Sequence, residues 1–135
     1  MTAELEEYDV THDEMWDQVR RIREGLDAAA GELSARELVL FRVLKIGEEF
    51  GEVAEALHGV NGTNPRKGKS HTMEDVVKEL VDVAVTTFVA LESITPDAQK
   101  EFEARLQHLV DRPQRPSGEE AEFASRPPRR SARSA

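Results

Sequence analysis

Apolar and polar residues recur along this chain with the period of an α-helix in four successive segments. The first two segments open on capping-box patterns, Thr11-x-x-Glu14 and Ser34-x-x-Glu37. Thr72 caps the third, and the fourth starts at Thr95-Pro96. We therefore expect helices that run from these caps to about residues 30, 60, 93 and 111.

The second segment carries an apolar stripe with alternating spacings of four and three residues: Val39, Val43, Ile46, Phe50, Val53, Leu57 and Val60. This spacing is typical of helices packed in antiparallel bundles. It predicts an all-α antiparallel bundle of four main helices. Leu40, Phe41 and Leu44 lie off the stripe, and a second apolar surface on a small helical protein usually meets another subunit. We expect a homo-oligomer, either a dimer or a dimer of dimers.

The third segment is apolar nearly all round. Its main stripe is Val77, Val81, Ala84, Phe88 and Leu91, and a narrow polar line remains at Asp75, Glu79, Asp82 and Thr86. We expect such a helix to be buried. Because a buried carboxylate is costly without a partner, Glu79 and Asp82 need a counter-charge.

Composition narrows the class of protein. The chain has 135 residues, a net charge of −9 and no cysteine. Residues 112–135 hold six Arg and three Glu, a net charge of +3, which leaves −12 for residues 1–111. We expect a helical domain over 1–111, with about ten frayed N-terminal residues, and a disordered Pro/Arg-rich tail over 112–135. So acidic a body does not favour nucleic-acid binding. With no membrane span and no signal peptide, we expect a cytoplasmic protein.

Two acidic motifs lie on the second and third segments, Glu48-Glu49-x-x-Glu52 and Glu79-x-x-Asp82. Residues three or four apart share one face of a helix, so each motif places its carboxylates together. Carboxylates without histidine or cysteine suit a hard cation such as Mg²⁺ or Mn²⁺. The plain alternative is a solvated acidic face.

The order E-E-x-x-E, then E-x-x-D, resembles the MazG-like all-α nucleoside triphosphate pyrophosphohydrolases, over about residues 34–109. The run Gly47–Leu57 is also similar to that family's first motif. The resemblance implies Mg²⁺-dependent cleavage of a (d)NTP substrate to (d)NMP and pyrophosphate, with Mn²⁺ as an alternative ion. By match to the motif it implies four metal ligands: Glu49, Glu52, Glu79 and Asp82. It makes Glu48 either a second-metal ligand or the base that takes a proton from the attacking water.

The segment that joins the two acidic helices carries three cations, Arg66, Lys67 and Lys69. They act either as a phosphate clamp beside the metal or as a solvated connector. Trp16, the one tryptophan, is either a packing anchor or a wall of a nucleobase pocket.

Other functions stay open at this point. Leu33 and Gly59 stand where the cytosine-reading branch of the family has aromatic residues, so cytosine preference is not implied. A phosphoribosyl-ATP pyrophosphohydrolase uses a similar helical site. A di-iron bundle needs two E-x-x-H pairs, and only Glu55 with His58 forms one here. An alternative from a different class of function is a non-catalytic helical dimerisation module.

Overall fold

The computed structural model describes residues 11–113, which form four α-helices and no strand. They are α1 (His12–Ala29), α2 (Ala35–Asn61), α3 (Met73–Ile94) and α4 (Ala98–Val110). The predicted all-α class and the four helices are confirmed. The predictions for the first ten residues, and for all but the start of the tail, lie outside the described residues. None of the helices described combines the length and the apolar character needed to cross a membrane.

Local hydrogen bonds set where α1, α2 and α3 begin. At the start of α2, the Ser34 N–H donates to Glu37 Oε2 at 2.8 Å, and Ser34 Oγ accepts from the Glu37 N–H at 3.2 Å. Thr11 with Glu14 and Thr72 with Asp75 make the same reciprocal pair. Each capping box satisfies backbone donors that the first turn of a helix would otherwise leave unpaired. All three predicted caps are confirmed.

Helices α2 and α3 lie antiparallel. Near the start of α2, Arg42 donates to Ser93 near the end of α3 at 2.8 Å. Near the end of α2, the Gly59 carbonyl accepts from the Ser70 N–H, just before α3, at 3.0 Å. A buried cluster of Val53, Ala56 and Val76 packs the two helices together. The acidic motifs are therefore brought to the same level of one helix pair.

A second core cluster joins α1 and the start of α4 to the C-terminal half of α3. Its buried members are Trp16, Val19, Val89 and Ala98. Phe88 and Phe102 pack on Trp16, with ring centroids 5.1 and 5.9 Å from its own. The cluster fixes the part of α3 that follows its acidic motif.

The two predicted apolar stripes do not form the core as expected. On α2, Phe50 is 63% exposed, and Val43 and Leu57 are exposed as well. On α3, Val77 and Val81 are also exposed. The reason is that α3 is the main neighbour of α2, so the pair buries the line Glu49–Val53–Ala56 and leaves the opposite sides open.

By its contacts the described chain divides after Phe102, so residues 103–113 are described separately. They complete α4, and their side chains Leu106 and Leu109 are exposed.

Candidate metal centre

Three carboxylates from two helices converge in this fold. Glu49 of α2 and Glu79 and Asp82 of α3 each offer an oxygen, and these atoms all lie within 4.8 Å of one another. Glu49 is only 9% exposed, while Glu79 and Asp82 are partly buried. The two helices bring them together because Val53 and Ala56 on α2 and Val76 on α3 pack beside them. We call these three residues the carboxylate cluster.

Glu52, the fourth predicted ligand, lies beside the carboxylate cluster. The negative charge of Glu49 raises the pKa of the Glu52 carboxyl, and burial and the charge of Glu79 raise it further. A pKa raised by neighbouring carboxylates indicates that these groups repel one another when ionised. Three of the four predicted ligands thus have oxygens within 4.8 Å of one another, and the fourth, Glu52, lies outside that group and is exposed.

Two lysines hold the carboxylate cluster. Lys45 Nζ lies 2.7 Å from Glu49 Oε1 and 3.2 Å from an oxygen of Glu48. Lys78 Nζ lies 3.3 Å from Glu79 Oε1 and 3.3 Å from Asp82 Oδ2. These contacts raise the pKa of both lysines, chiefly through hydrogen bonds to Glu49 and Glu79, respectively. Sequence reasoning gave neither lysine a role in the site, although Lys45 with Glu49 and Lys78 with Asp82 both have the spacing of a helical ion pair.

One cluster oxygen is left without a partner. Glu79 Oε2 is shielded from solvent and has no hydrogen-bond partner in the part of the chain that the structure describes. A buried, unpaired carboxylate oxygen is costly, and a cation would satisfy it. The donor set contains carboxylates alone, which are the ligands that Mg²⁺ and Mn²⁺ prefer. The residues present therefore fit a hard divalent ion.

Glu48, the predicted base, lies outside the group of mutually close oxygens. Its side chain is 63% exposed and contacts Lys45. It is one turn before Glu52 on α2, so an open carboxylate stands next to the cluster. Its role as base or second-metal ligand stays a prediction.

The predicted phosphate clamp lies along the C-terminal part of α2. Lys67 pairs with Glu55 at 3.9 Å rather than with the carboxylate cluster. Both line a cavity of about 610 Å³ between the 62–71 segment and α2, together with His58 and His71. Arg66 and Lys69 are exposed beside it. The clamp stays a prediction, and Lys67 contacts α2 through Glu55.

Trp16 does not have the geometry of a base-pocket wall. Its side chain is fully buried, and Phe88 and Phe102 cover its ring. The packing-anchor interpretation therefore holds and the base-pocket interpretation was wrong, because Trp16 packs into the core against α3 and α4.

A different apolar cavity adjoins the carboxylate cluster. Its volume is about 310 Å³, and α1, α2 and α3 all contribute to it. Lys45 and Thr86, each one turn from a cluster carboxylate, are among the residues that line it. Phe41, Leu26 and Val85 are among its apolar walls. Sequence reasoning assigned Phe41 to a subunit surface, because its partners on α1 and α3 are distant in the chain.

Comparisons with protein families, curated proteins and solved structures found no match to this chain. Its function is therefore inferred from its own residues and their geometry.

Proposed function

We propose that the chain is a Mg²⁺-dependent nucleotide pyrophosphohydrolase, which cleaves a (d)NTP to (d)NMP and pyrophosphate. The observation that carries the proposal is the convergence of Glu49, Glu79 and Asp82 from two helices, with their oxygens within 4.8 Å. The motif resemblance described above supplies the reaction. Mn²⁺ is the alternative ion.

In this proposal Glu49, Glu79 and Asp82 hold the metal, and Glu52 is a further ligand. The bound ion supplies charge neutralisation on the phosphates and a lower pKa for the attacking water. Glu48 takes the proton of that water, since its exposed carboxylate lies beside the cluster. Water attacks the α-phosphorus, the bond to the bridging oxygen breaks, and pyrophosphate leaves with that oxygen.

The nucleoside part of the substrate fits the apolar cavity beside the cluster. A volume of about 310 Å³ lies at the small end of the range for ligand pockets. Phe41 offers a partly exposed aromatic ring to a base, and Arg42 and Lys45 place positive charge at the wall. In this arrangement the phosphates of the substrate lie at the carboxylate cluster, and its nucleobase lies in the cavity on the side of α1.

We also propose that the chain works as a homo-oligomer, a dimer or a dimer of dimers. The outer face of α2 exposes five large apolar side chains: Leu40, Val43, Leu44, Phe50 and Leu57. A continuous apolar helix face of this size favours a subunit contact. The same face supports the second candidate function, a dimerisation module without catalysis.

The test is a panel of standard and damaged NTPs and dNTPs, with phosphoribosyl-ATP included, incubated with Mg²⁺ or Mn²⁺. We expect release of pyrophosphate and not orthophosphate from at least one nucleoside triphosphate. Turnover of phosphoribosyl-ATP alone would move the protein to that related activity. If a folded and oligomeric protein turns over no compound of the panel, the enzyme proposal is excluded and the dimerisation module remains as the proposed function.

Metal binding is tested separately from turnover by melting curves in Mg²⁺ and in EDTA. A ligand that binds only the folded state stabilises it by about 2.7 kcal/mol at roughly a hundredfold excess over Kd. We expect Asp82→Asn to lose this Mg²⁺ shift and pyrophosphate release together. Asp17→Asn, which removes an exposed carboxylate on α1, is the matched control and keeps both. A full Mg²⁺ shift in Asp82→Asn would remove Asp82 from the ligand set.

A further inference from the structure

Every carboxylate of the cluster is held by a lysine from its own helix. Lys45 contacts Glu49 on α2, and Lys78 contacts both Glu79 and Asp82 on α3. We propose that Lys45 and Lys78 are exchangeable counter-ions: they neutralise part of the charge of the cluster before metal binds, and move to the substrate phosphates once metal takes the carboxylates. This inference rests on the metal site of the proposed function.

Charge balance gives the lysines their first role. Three carboxylates with oxygens within 4.8 Å of one another repel strongly unless cations lie between them. The two ammonium groups supply that charge at 2.7 and 3.3 Å. A metal ion needs the same oxygens, so it must compete with both lysines.

Both lysines can release the carboxylates at low cost. Their side chains are 49% and 68% exposed, so their ammonium groups regain water when they release the carboxylates. Each is a point charge on a flexible four-carbon stem, without the fixed two-pronged geometry of arginine. Arg42 shows the contrast, because its side chain is 11% exposed and is held by Asp27 and Ser93.

Their positions give the second role. Because α2 and α3 are antiparallel, Lys45 reaches the cluster from the end nearer α1, and Lys78 from the end nearer the connecting segment. Lys45 also lines the apolar cavity proposed for the nucleoside. A triphosphate bound over the metal would lie between two released ammonium groups, which form strong charge-assisted hydrogen bonds to phosphate oxygens.

The test uses two ligands whose affinities should change in opposite directions. Mn²⁺ binding to the full chain is measured by electron paramagnetic resonance. Binding of inorganic tripolyphosphate is then measured by calorimetry with Mn²⁺ saturating. For Lys45→Gln and Lys78→Gln we expect Mn²⁺ to bind roughly threefold to tenfold more tightly, because one competing exposed charge has gone. We expect tripolyphosphate to bind roughly tenfold more weakly, because one charged donor has gone.

Two controls separate this exchange from a general change in charge. Lys100→Gln removes an exposed lysine on α4, which has no part in the site, and should leave both affinities unchanged. Lys45→Arg keeps the charge and should keep the Mn²⁺ affinity close to that of the parent. Melting curves in EDTA check that each variant is folded.

Each outcome decides one point. Unchanged or weaker Mn²⁺ binding in both glutamine variants would overturn the counter-ion role. Tighter Mn²⁺ binding with unchanged tripolyphosphate binding would overturn the transfer to phosphate. No Mn²⁺ binding by the parent would overturn the proposed metal site, and the role of the lysines with it.

Discussion

Arg42 joins three helices through one guanidinium group. It extends from α2, donates to Asp27 Oδ1 on α1 at 2.7 Å and to Ser93 Oγ on α3 at 2.8 Å. Ser93 in turn donates to the Val89 carbonyl at 2.7 Å. The hydrogen bond from Arg42 to Asp27 is the main reason that the pKa of Asp27 lies below its ordinary value. The pair therefore attaches α1 to the helices that carry the site.

The first stability prediction follows from that pKa. Asp27→Asn should cost on the order of 1 kcal/mol at neutral pH, an amount kept small because Asp27 is more than a third exposed. The folded-state pKa lies below the unfolded value of 3.8, so the stabilisation is present above pH 3.8 and is lost as pH falls through the folded-state pKa. In urea melts of parent and variant, the difference in stability should shrink as the pH is lowered from 7 to 2.5.

Asp17→Asn serves as the comparison for Asp27. Asp17 is exposed and pairs with Arg20 at 2.7 Å on the same helix, while Arg20 also lies 3.8 Å from Glu92 on α3. We expect it to change stability by less than about 0.5 kcal/mol at any pH. A loss as large as that of Asp27→Asn would show that the joining of helices is not what makes Asp27 important.

Residue contacts were predictable only where they are local. The acidic motifs, and the contact of Lys78 with Asp82, follow from spacings of three and four residues on one helix. The pairing of Arg42 with Asp27 depends on how α1 crosses α2, which periodicity does not specify. The place of Trp16 was open for the same reason, since its two aromatic neighbours lie 72 and 86 residues further along the chain.

The beginnings of the helices were predictable because each is encoded within four residues. The hydrogen bonds of the capping boxes depend on no distant group, and all three formed as expected. The faces of α2 were not predictable to the same degree. Its apolar residues spread over most of its circumference, so the pattern alone does not say which side α3 covers.

Near the end of α2, the chain packs so closely at position 59 that only glycine, which has no Cβ, fits without a shift. A Cβ added there would lie 2.1 Å from His71 Nδ1 and 2.7 Å from Ser70 Oγ. Gly59→Ala should therefore displace the segment that leads into α3 and lower stability by about 1 kcal/mol, despite the better helix propensity of alanine. The measurement is chemical denaturation, with proteolysis of the 62–72 segment as the local readout.

Gly25→Ala is the control for this substitution. Gly25 also lies inside a helix, but nothing comes within 4 Å of an added Cβ. We expect the variant to gain about 0.5–1 kcal/mol of stability from helix propensity alone. Two alanine variants that change stability equally would contradict the close approach at Gly59.

At the scale of the whole molecule, the outer face of α2 is the feature that needs explaining. In the described chain its leucines, valine and phenylalanine have no covering element. An apolar face of this kind is unfavourable in water unless a second copy or another partner buries it. The proposed dimer buries it against a second copy.

Leu44→Glu tests the dimer. Leu44 is 61% exposed, so the change should leave the fold of one chain intact while placing a charge in the subunit contact. In size-exclusion chromatography with light scattering, we expect the parent to elute as a dimer or larger oligomer. The variant should dissociate into monomers at protein concentrations at least about tenfold higher than those at which the parent dissociates. Leu106→Glu, at an exposed leucine of α4, should elute like the parent. A parent that is monomeric at all concentrations would remove the proposal.

The short connection between the acidic helices also has a consequence for the order of folding. Eleven residues separate α2 from α3, so their contacts close a small loop, and such contacts form early. The repulsion among Glu49, Glu79 and Asp82 that Lys45 and Lys78 leave uncompensated then opposes the folding step itself. We expect a bound divalent ion to act mainly on the rate of folding. The pairing of Arg42 with Asp27, which closes when α1 docks, acts mainly on the rate of unfolding.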